Sequence, residues 1–271
     1  MRLFINCSTL AVLLVSLSLP VQAENDEITI VGGVSYNWKN EDFKITGKPF
    51  KPEFTTIDWS LIAAYKAAFV KVNFDQSIKD SFQIDNSPSN SSGGPDNAAI
   101  LFSRDDIGLT LGYNVLDNLS VFLGFTRGET EGAGTGQIID DGSGPMFSTL
   151  FISIIEQGPF IGASYSYHLK NSGSFSFSLA YARLDGEVIL RSANTLISSQ
   201  VTTISSQLAK GDADGLSYSI AWTDSFAEDL LYIISFKQTD YKFDAPEVSG
   251  QESYDFDDTY LTFLIGLSKF F

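Results

Sequence analysis

The end of the chain alternates between large apolar side chains and smaller or polar ones. The apolar set recurs on every second position, with Lys269 as the exception, and consists of Leu261, Phe263, Ile265, Leu267 and Phe271. This period of two is that of a β-strand, whose successive side chains point to opposite faces of the sheet. Soluble domains usually end in a few frayed polar residues. The pattern therefore predicts a terminal strand whose outer face meets an apolar surrounding.

This terminal pattern resembles the C-terminal strand of bacterial outer-membrane β-barrels, in which alternate apolar residues and a final Phe form the signal read by the assembly machinery. The resemblance implies that Phe263, Ile265, Leu267 and Phe271 form that signal here. It also implies that the outer-membrane assembly machinery is a partner of the chain. Lys269 departs from the family pattern, because the third position from the end is commonly aromatic or aliphatic there.

The first residues have the features of a secretory signal peptide. Arg2 precedes a mostly apolar stretch that ends near Leu19, and Val21, Gln22 and Ala23 fit the small-residue rule for cleavage. We therefore expect a signal peptide over residues 1–23, export to the periplasm, and a mature domain over residues 24–271. The single cysteine of the chain, Cys7, falls inside the signal peptide. A mature chain without cysteine excludes a disulfide framework and a thiolate metal site.

Composition restricts the partners and the architecture. Without Arg2, 16 basic residues face 33 acidic ones, a formal charge of −17. Such a chain has little with which to neutralise phosphates, so nucleic acid is not an expected partner. After the signal peptide no run approaches the roughly 18 apolar residues of a spanning helix. A membrane protein of this composition is expected to be a barrel, the other architecture that satisfies every backbone group in lipid.

Strict alternation recurs along the chain, with the large apolar residues on one face and small or polar residues on the other. The small set includes Gly108, Thr110, Gly112, Ser164, Ser166, Ser217 and Ser219. A soluble sandwich also alternates, but its buried face carries large aliphatic side chains. Here the face that could line an interior is the small one. The inverted pattern predicts an all-β fold, a single closed antiparallel transmembrane barrel of a small porin-like Gram-negative type.

Strand parity predicts about ten strands. Short connections alternate with long polar ones, which we place at residues 39–55, 79–100, 128–145, 191–212 and 244–257. An even count requires the segment 56–79 to form two strands with a tight turn near residues 65–68. Barrels of eight or twelve strands are the alternatives. Residues 147–155 are read as an extension of the strand that follows them.

The inward small residues lead to two hypotheses about function. The interior of a ten-stranded barrel is wider than that of an eight-stranded barrel, which side chains fill, and narrower than that of an open porin. The first hypothesis is therefore a narrow passive channel for small solutes. Asp58, Lys71 and Lys237 are the inward candidates that would set its charge preference. The alternative hypothesis is a structural or surface-interaction barrel that is closed to solutes. In that barrel the same three residues would pair with one another or form hydrogen bonds inside a plugged lumen. In that case acidic extracellular loops would meet partners or divalent ions among outer-membrane lipid and lipopolysaccharide. A soluble exported binding barrel comes third.

The sequence supplies no catalytic or metal-binding motif. Its one histidine, His168, falls at a strand end next to a short turn, and no Gly-x-Ser-x-Gly motif is present. The acidic turns at Asp140 and Asp212 lack the further oxygen ligands of a calcium loop. We therefore expect no enzyme activity, no cofactor and no metal.

Closure of the barrel requires the first and last strands to pair. Pairing would bring the lysine-rich segment after Trp38 beside the acidic segment before Tyr260, so opposite charges are expected to attract across the seam. A cysteine pair at Lys44 and Gly250 is expected to crosslink.

Overall fold

The computed structural model of the chain describes residues 28–45, 48–85, 97–138, 146–170, 173–196, 199–244 and 256–271. The strands are β1 (Ile28–Ile45), β2 (Lys48–Phe50), β3 (Glu53–Tyr65), β4 (Ala68–Lys79), β5 (Ser81–Asp85), β6 (Asn97–Leu116), β7 (Leu119–Ile138), β8 (Met146–His168), β9 (Ser174–Leu196), β10 (Thr202–Ala227), β11 (Leu230–Asp244) and β12 (Phe256–Phe270). Across these ranges, no helix with the length and apolarity to cross a membrane is found. The predicted signal peptide lies outside the described residues.

The sheet closes into an antiparallel barrel of ten strands, which confirms the predicted count and fold class. Each strand pairs with its neighbour, and β12 pairs with β1 from Val31–Phe270 to Asp42–Thr259. β4 and β5 both pair with β6 and together occupy one place in the barrel. β2 pairs only with the end of β1. The predicted tight turn is also confirmed, since β3 and β4 are joined at Lys66, which has a φ of 53°.

The outward face of the barrel carries a band of large apolar side chains. Leu111, Leu123 and Ile161 lie side by side on β6, β7 and β8, each 45–62% exposed. On β12 the outward residues are Leu261, Phe263, Ile265 and Leu267, as the terminal alternation predicts. Side chains of this kind are stable on the surface of a barrel only where that surface faces lipid.

The strands are longer than the sequence pattern indicated, and the predicted long loops are correspondingly too long. β1 continues to Ile45, and the segments read as connections at residues 128–145 and 191–212 are largely strand. A transmembrane strand needs about 9–11 residues, whereas β8, β9 and β10 have 23, 23 and 26. These strands therefore continue as a wall above the apolar band. The predicted extension at residues 147–155 is part of β8.

The barrel has a turn end, where short turns and the residues Ile28 and Phe271 lie, and an opposite loop end. At the turn end the Phe271 ring covers Gly32, since a Cβ on that glycine would be 3.3 Å from the ring. Lys269, the residue that departs from the family pattern, pairs with Asp229 in the β10–β11 turn at 3.1 Å. The hydrogen bond from Lys269 lowers the pKa of the Asp229 carboxyl.

Inward glycines receive aromatic rings from the neighbouring strand. Five such pairs are direct register partners: Gly112 with Phe69, Gly124 with Phe160, Gly132 with Phe102, Gly162 with Phe122, and Gly215 with Tyr241. A Cβ at any of these glycines would come within 2.0–2.6 Å of a ring atom. Glycine in these strands therefore marks a close approach. The rings fill space that the small residues leave in the lumen.

The lumen is filled in layers along the barrel axis. Val31 and Ile62 pack with Phe69, Leu231 and Phe270 near the turn end. A larger apolar cluster, called here the loop-end cluster, is Phe43, Phe50, Phe54, Ile100, Phe102, Phe122, Ile152, Ile154, Phe160, Ala182, Leu184, Val188, Ala209, Ala213 and Phe243. It draws on β1, β2, β3 and on every strand from β6 to β11. Charged side chains occupy the lumen between these apolar groups.

Candidate functional site

The three lumen residues singled out from the sequence all lie inside the barrel. Asp58, Lys71 and Lys237 are 7%, 4% and 6% exposed. Asp58 accepts a hydrogen bond from Asn73 at 3.1 Å, and its carboxylate is the main charge acting on Lys71. Lys237 lies on β11, apart from this pair in the sheet order. Their inward placement follows from the alternation, but any part in selecting ions remains a prediction.

Lys39 joins the carboxylates of two other strands. Its Nζ lies 2.6 Å from Asp75 on β4 and 2.5 Å from Asp106 on β6, with all three side chains fully buried. Asn37, two residues earlier on the same face, donates to Asp75 at 3.0 Å. β1 is separated from β6 by β3 and β4 in the sheet, so the ion pair crosses the lumen rather than following its wall.

Arg104 is another buried cation of the lumen, and it contacts more groups than Lys39 does. Its guanidinium donates to Asp106 at 3.0 Å and to Glu156 at 3.4 Å, and lies 3.8 Å from Glu41. It also donates to Thr130 at 2.8 Å. Gly128 makes room for this arrangement, because a Cβ there would lie 2.4 Å from Arg104 Nη2. One planar cation thus joins β6 to β1, β7 and β8.

Tyr260 gathers three carboxylates around one hydroxyl. Its Oη lies 3.0 Å from Glu41, 3.1 Å from Glu156 and 2.7 Å from Asp258. Arg104 donates to the same oxygen at 2.7 Å. The guanidinium carbon also lies 4.3 Å from the centre of the tyrosine ring. A hydroxyl has one proton to donate, so Tyr260 cannot donate a hydrogen bond to all three carboxylates. The positive charge of Arg104 therefore compensates much of the negative charge in this cluster.

Most of this network was missed from the sequence. Lys39 and Glu41 were assigned to a long loop, and Asp258 to an acidic segment outside the membrane. The signal was nevertheless present, because Lys39 and Glu41 continue the inward positions of Asn37, and Asp258 continues those of Thr262. If the strands are extended beyond the apolar band, the alternation of inward and outward positions places these three side chains in the lumen.

A small cavity lies in the lumen beside β9, β10 and β11. Its volume is about 30 Å³. The polar residues around it are Arg104, Thr126, Ser178, Ser217, Ser219, Lys237, Thr239, Tyr241 and Tyr260. A single buried water needs a cavity of roughly 10–15 Å³. The cavity therefore has room for one or two particles of that size.

The described residues give no support for a catalytic or metal centre. Among them, no group of three His, Cys, Asp or Glu side chains is arranged to hold a metal ion. His168 is exposed at the turn end, opposite Ser174, and is remote in the barrel from the loop-end cluster. Apart from Asp58, which accepts a hydrogen bond from Asn73, the described carboxylates of the lumen contact Lys39, Arg104 or Tyr260.

A charged belt borders the apolar band on its loop-end side. Its outward-facing members are Asp42, Glu53, Asp105, Arg127, Glu129, Glu131, Arg183, Asp185, Glu187, Lys210, Asp212, Asp214, Asp240 and Lys242. An outward apolar band, edged by charge and wrapped around a closed antiparallel sheet, is characteristic of an outer-membrane β-barrel. The protein has that fold.

Comparison with a solved structure supports the fold. The crystal structure of the outer-membrane protease OmpT from Escherichia coli matches with a TM-score of 0.56 at 10% identity, over 91% of this chain and 97% of that one. The translocator domain of the autotransporter NalP from Neisseria meningitidis matches with a TM-score of 0.45 at 9% identity, over 91% and 90%. The Pseudomonas putida toluene transporter TodX gives 0.43 at 7%, also over 91% and 90%.

No protein-family model matches the chain, and no curated protein matches it either. At these identities the likeness extends to the fold alone. A shared fold does not determine function.

Proposed function

We propose that the protein is a structural, surface-interaction barrel of the outer membrane, with a filled lumen and no enzyme activity. The observation that carries this proposal is the loop-end cluster, whose Phe43, Phe54 and Phe102 are each no more than 2% exposed inside the barrel. The ion pairs of Lys39 and Arg104 lie across the lumen as well. Ions do not readily enter a packed apolar constriction, because they lose their hydration there.

The wall at the loop end supports a role in surface contacts. Phe82, Leu101, Ala133 and Phe151 are register neighbours across β5, β6, β7 and β8, and all face outward. Phe82 and Leu101 are 58% and 48% exposed. The charged belt separates this row from the lipid-facing band. Exposed apolar groups beyond the membrane are typical of binding surfaces.

The belt suggests which surroundings this surface meets. Most of its charges are carboxylates, and only some are paired, such as Glu187 with Lys210 at 2.6 Å and Asp212 with Arg183 at 3.2 Å. Divalent ions would link the remaining carboxylates to lipopolysaccharide phosphates. Lipopolysaccharide and outer-membrane lipid are therefore the proposed surroundings of the wall. Phe263, Ile265, Leu267 and Phe271 remain the proposed signal for the assembly machinery.

A narrow passive channel is the second candidate. The small inward residues of β9 and β10 and the cavity beside Lys237 favour it. In a channel, Lys71→Glu and Lys237→Glu would shift the ion preference, because both side chains lie in the lumen.

Conductance of the refolded protein in a planar bilayer separates the two candidates. The proposal expects no discrete current steps from the wild type. It expects steps from a Phe43→Ala/Phe54→Ala/Phe102→Ala variant that stays folded, since this change empties part of the loop-end cluster. A Leu111→Ala/Leu123→Ala variant, altered only on the outward face, is the matched control and should stay silent. Regular steps from the folded wild type would contradict the filled-lumen proposal and favour the channel.

A further inference from the structure

Lys237 differs from the other strongly buried cations of the lumen in its contacts. Lys39 and Arg104 each make ion pairs with carboxylates at 3.0 Å or less. Among the residues that the structure describes, Lys237 has neither a salt bridge nor a hydrogen bond, although it is only 6% exposed. Burial of an ammonium without a counter-charge costs several kcal/mol. The position therefore calls for a compensating group.

The charged groups with the largest effect on Lys237 are the anion Asp106 and the cations Lys39, Lys71 and Arg104. Asp106 is already bound by Lys39 at 2.5 Å and by Arg104 at 3.0 Å. Among the described residues, no carboxylate forms an ion pair with Lys237. An anion taken up from solution can therefore supply its counter-charge.

The cavity beside Lys237 can accept such a charge. Lys237 and Arg104 contribute to its lining, together with the hydroxyl-bearing residues Ser178, Ser219 and Thr239. A hydroxyl can donate a hydrogen bond to an anion without adding a charge of its own. The volume of about 30 Å³ accommodates one or two water-sized particles. A monatomic anion fits such a volume, whereas a large organic anion such as gluconate does not.

We propose that this cavity is a halide site, in which chloride binds the Lys237 ammonium and is surrounded by hydroxyls of β9, β10 and β11. The anion supplies Lys237 with the counter-charge that none of the described carboxylates provides by direct contact. Since it binds the folded barrel and not the unfolded chain, chloride stabilises the fold in proportion to its occupancy. The site requires no conduction through the barrel.

The test measures urea unfolding of the refolded barrel in detergent, in sodium chloride, sodium bromide and sodium gluconate at equal ionic strength. Gluconate is too large for the cavity, so the unfolding midpoint should be higher in chloride and bromide. Lys237→Met should remove this difference and should unfold in gluconate no earlier than the wild type, because it removes a lone charge. Lys71→Gln, a buried lumen lysine outside the cavity lining, is the matched control and should keep the halide response.

Crystals soaked in sodium bromide give a second readout that does not depend on stability. Anomalous scattering should place bromide beside Lys237 in the wild type and not in Lys237→Met. Equal midpoints in all three salts, together with no bromide at Lys237, would overturn the proposal. So would a halide response that survives unchanged in Lys237→Met.

Discussion

Single residues inside the barrel decide whether its buried charge is tolerable. Arg104 is the clearest case, because Asp106, Glu41, Glu156 and the Tyr260 hydroxyl all lie within 3.8 Å of its guanidinium. A buried carboxylate that loses its partner keeps its desolvation cost and loses the attraction that offset it. Removal of one charged residue from this network is therefore expected to destabilise the folded barrel.

Arg104→Met should destabilise the barrel by about 3–5 kcal/mol, since it leaves several carboxylates buried without their cation. Urea unfolding in detergent, followed by tryptophan fluorescence, measures the change. Arg183→Met is the matched control. That residue forms an ion pair with Asp212 in which both side chains are more than 60% exposed, and such pairs contribute at most about 1 kcal/mol.

Arg104→Lys serves if Arg104→Met does not fold. It keeps the charge but not the planar array of donors, so it should be less stable than the wild type and the Arg183→Met control, and more stable than Arg104→Met. A midpoint for Arg104→Met equal to that of the wild type would show that the carboxylates do not rely on this cation.

At the scale of elements, alternation predicted the membrane-crossing segments well and their ends poorly. Within the apolar band, outward positions such as Leu111 and Leu123 are recognisable in the sequence because a surface that faces lipid carries apolar side chains. Above the band, the outward residues of β7 become Arg127, Glu129 and Glu131, and a polar outward face carries no signal of that kind. The strand continues regardless, because its backbone still finds partners on both sides.

The lumen network was less accessible to sequence reasoning than the strands. Parity could place Lys39 and Arg104 inside, but only the three-dimensional register could show that they meet Asp75, Asp106 and Glu156. Such contacts depend on how far each strand is shifted relative to strands across the barrel. That shift is a property of the closed sheet and not of any one strand.

The predicted attraction across the seam of β1 and β12 was wrong for part of its charges. The pairing of the two strands is confirmed, but Lys39, Glu41 and Asp258 point into the lumen instead of into loops. Gly250, one half of the proposed crosslink, lies outside the described residues. The seam can be tested instead with outward positions inside the strands.

Asn40→Cys with Leu261→Cys should form a disulfide in the folded barrel. The two positions are register partners at the seam and both face outward, and Cβ atoms of such partners lie about 4.5–5.5 Å apart. Non-reducing electrophoresis of the folded protein measures the crosslink, and residues 24–271 contain no cysteine of their own. Asn40→Cys with Phe263→Cys, shifted by two residues, is the control and should crosslink much less. Equal yields from both pairs would contradict the register.

For the whole molecule, the decisive feature is the division of one continuous sheet into a lipid-facing band and a wall above it. The same strand β7 carries Leu123 in the band and Glu131 in the belt. The free energy of a charge on the outward face must therefore change along the strand, because lipid excludes charge and the region above the belt does not.

Leu123→Arg should lower stability in refolded lipid vesicles by about 2–4 kcal/mol, the cost of arginine near the centre of a bilayer. Glu131→Arg is the matched control on the same strand and should cost at most about 1 kcal/mol. Urea unfolding of the vesicle-inserted protein compares the two. Similar losses at both positions would mean that the band is not where the barrel meets lipid.

The glycine and aromatic pairs of the lumen also determine which barrel this chain can close into. A strand that slips by one residue turns its side chains to the wrong face, so the permitted errors are slips of two. After such a slip Phe69 would meet Thr110 or Asn114 in place of Gly112, and Tyr241 would meet Ala213 or Ser217 in place of Gly215. Each alternative puts a Cβ where a ring must lie. The pairs thus fix the stagger between neighbouring strands at four of the strand interfaces. Because the summed stagger sets the diameter of the barrel and the tilt of its strands, the pairs restrict both.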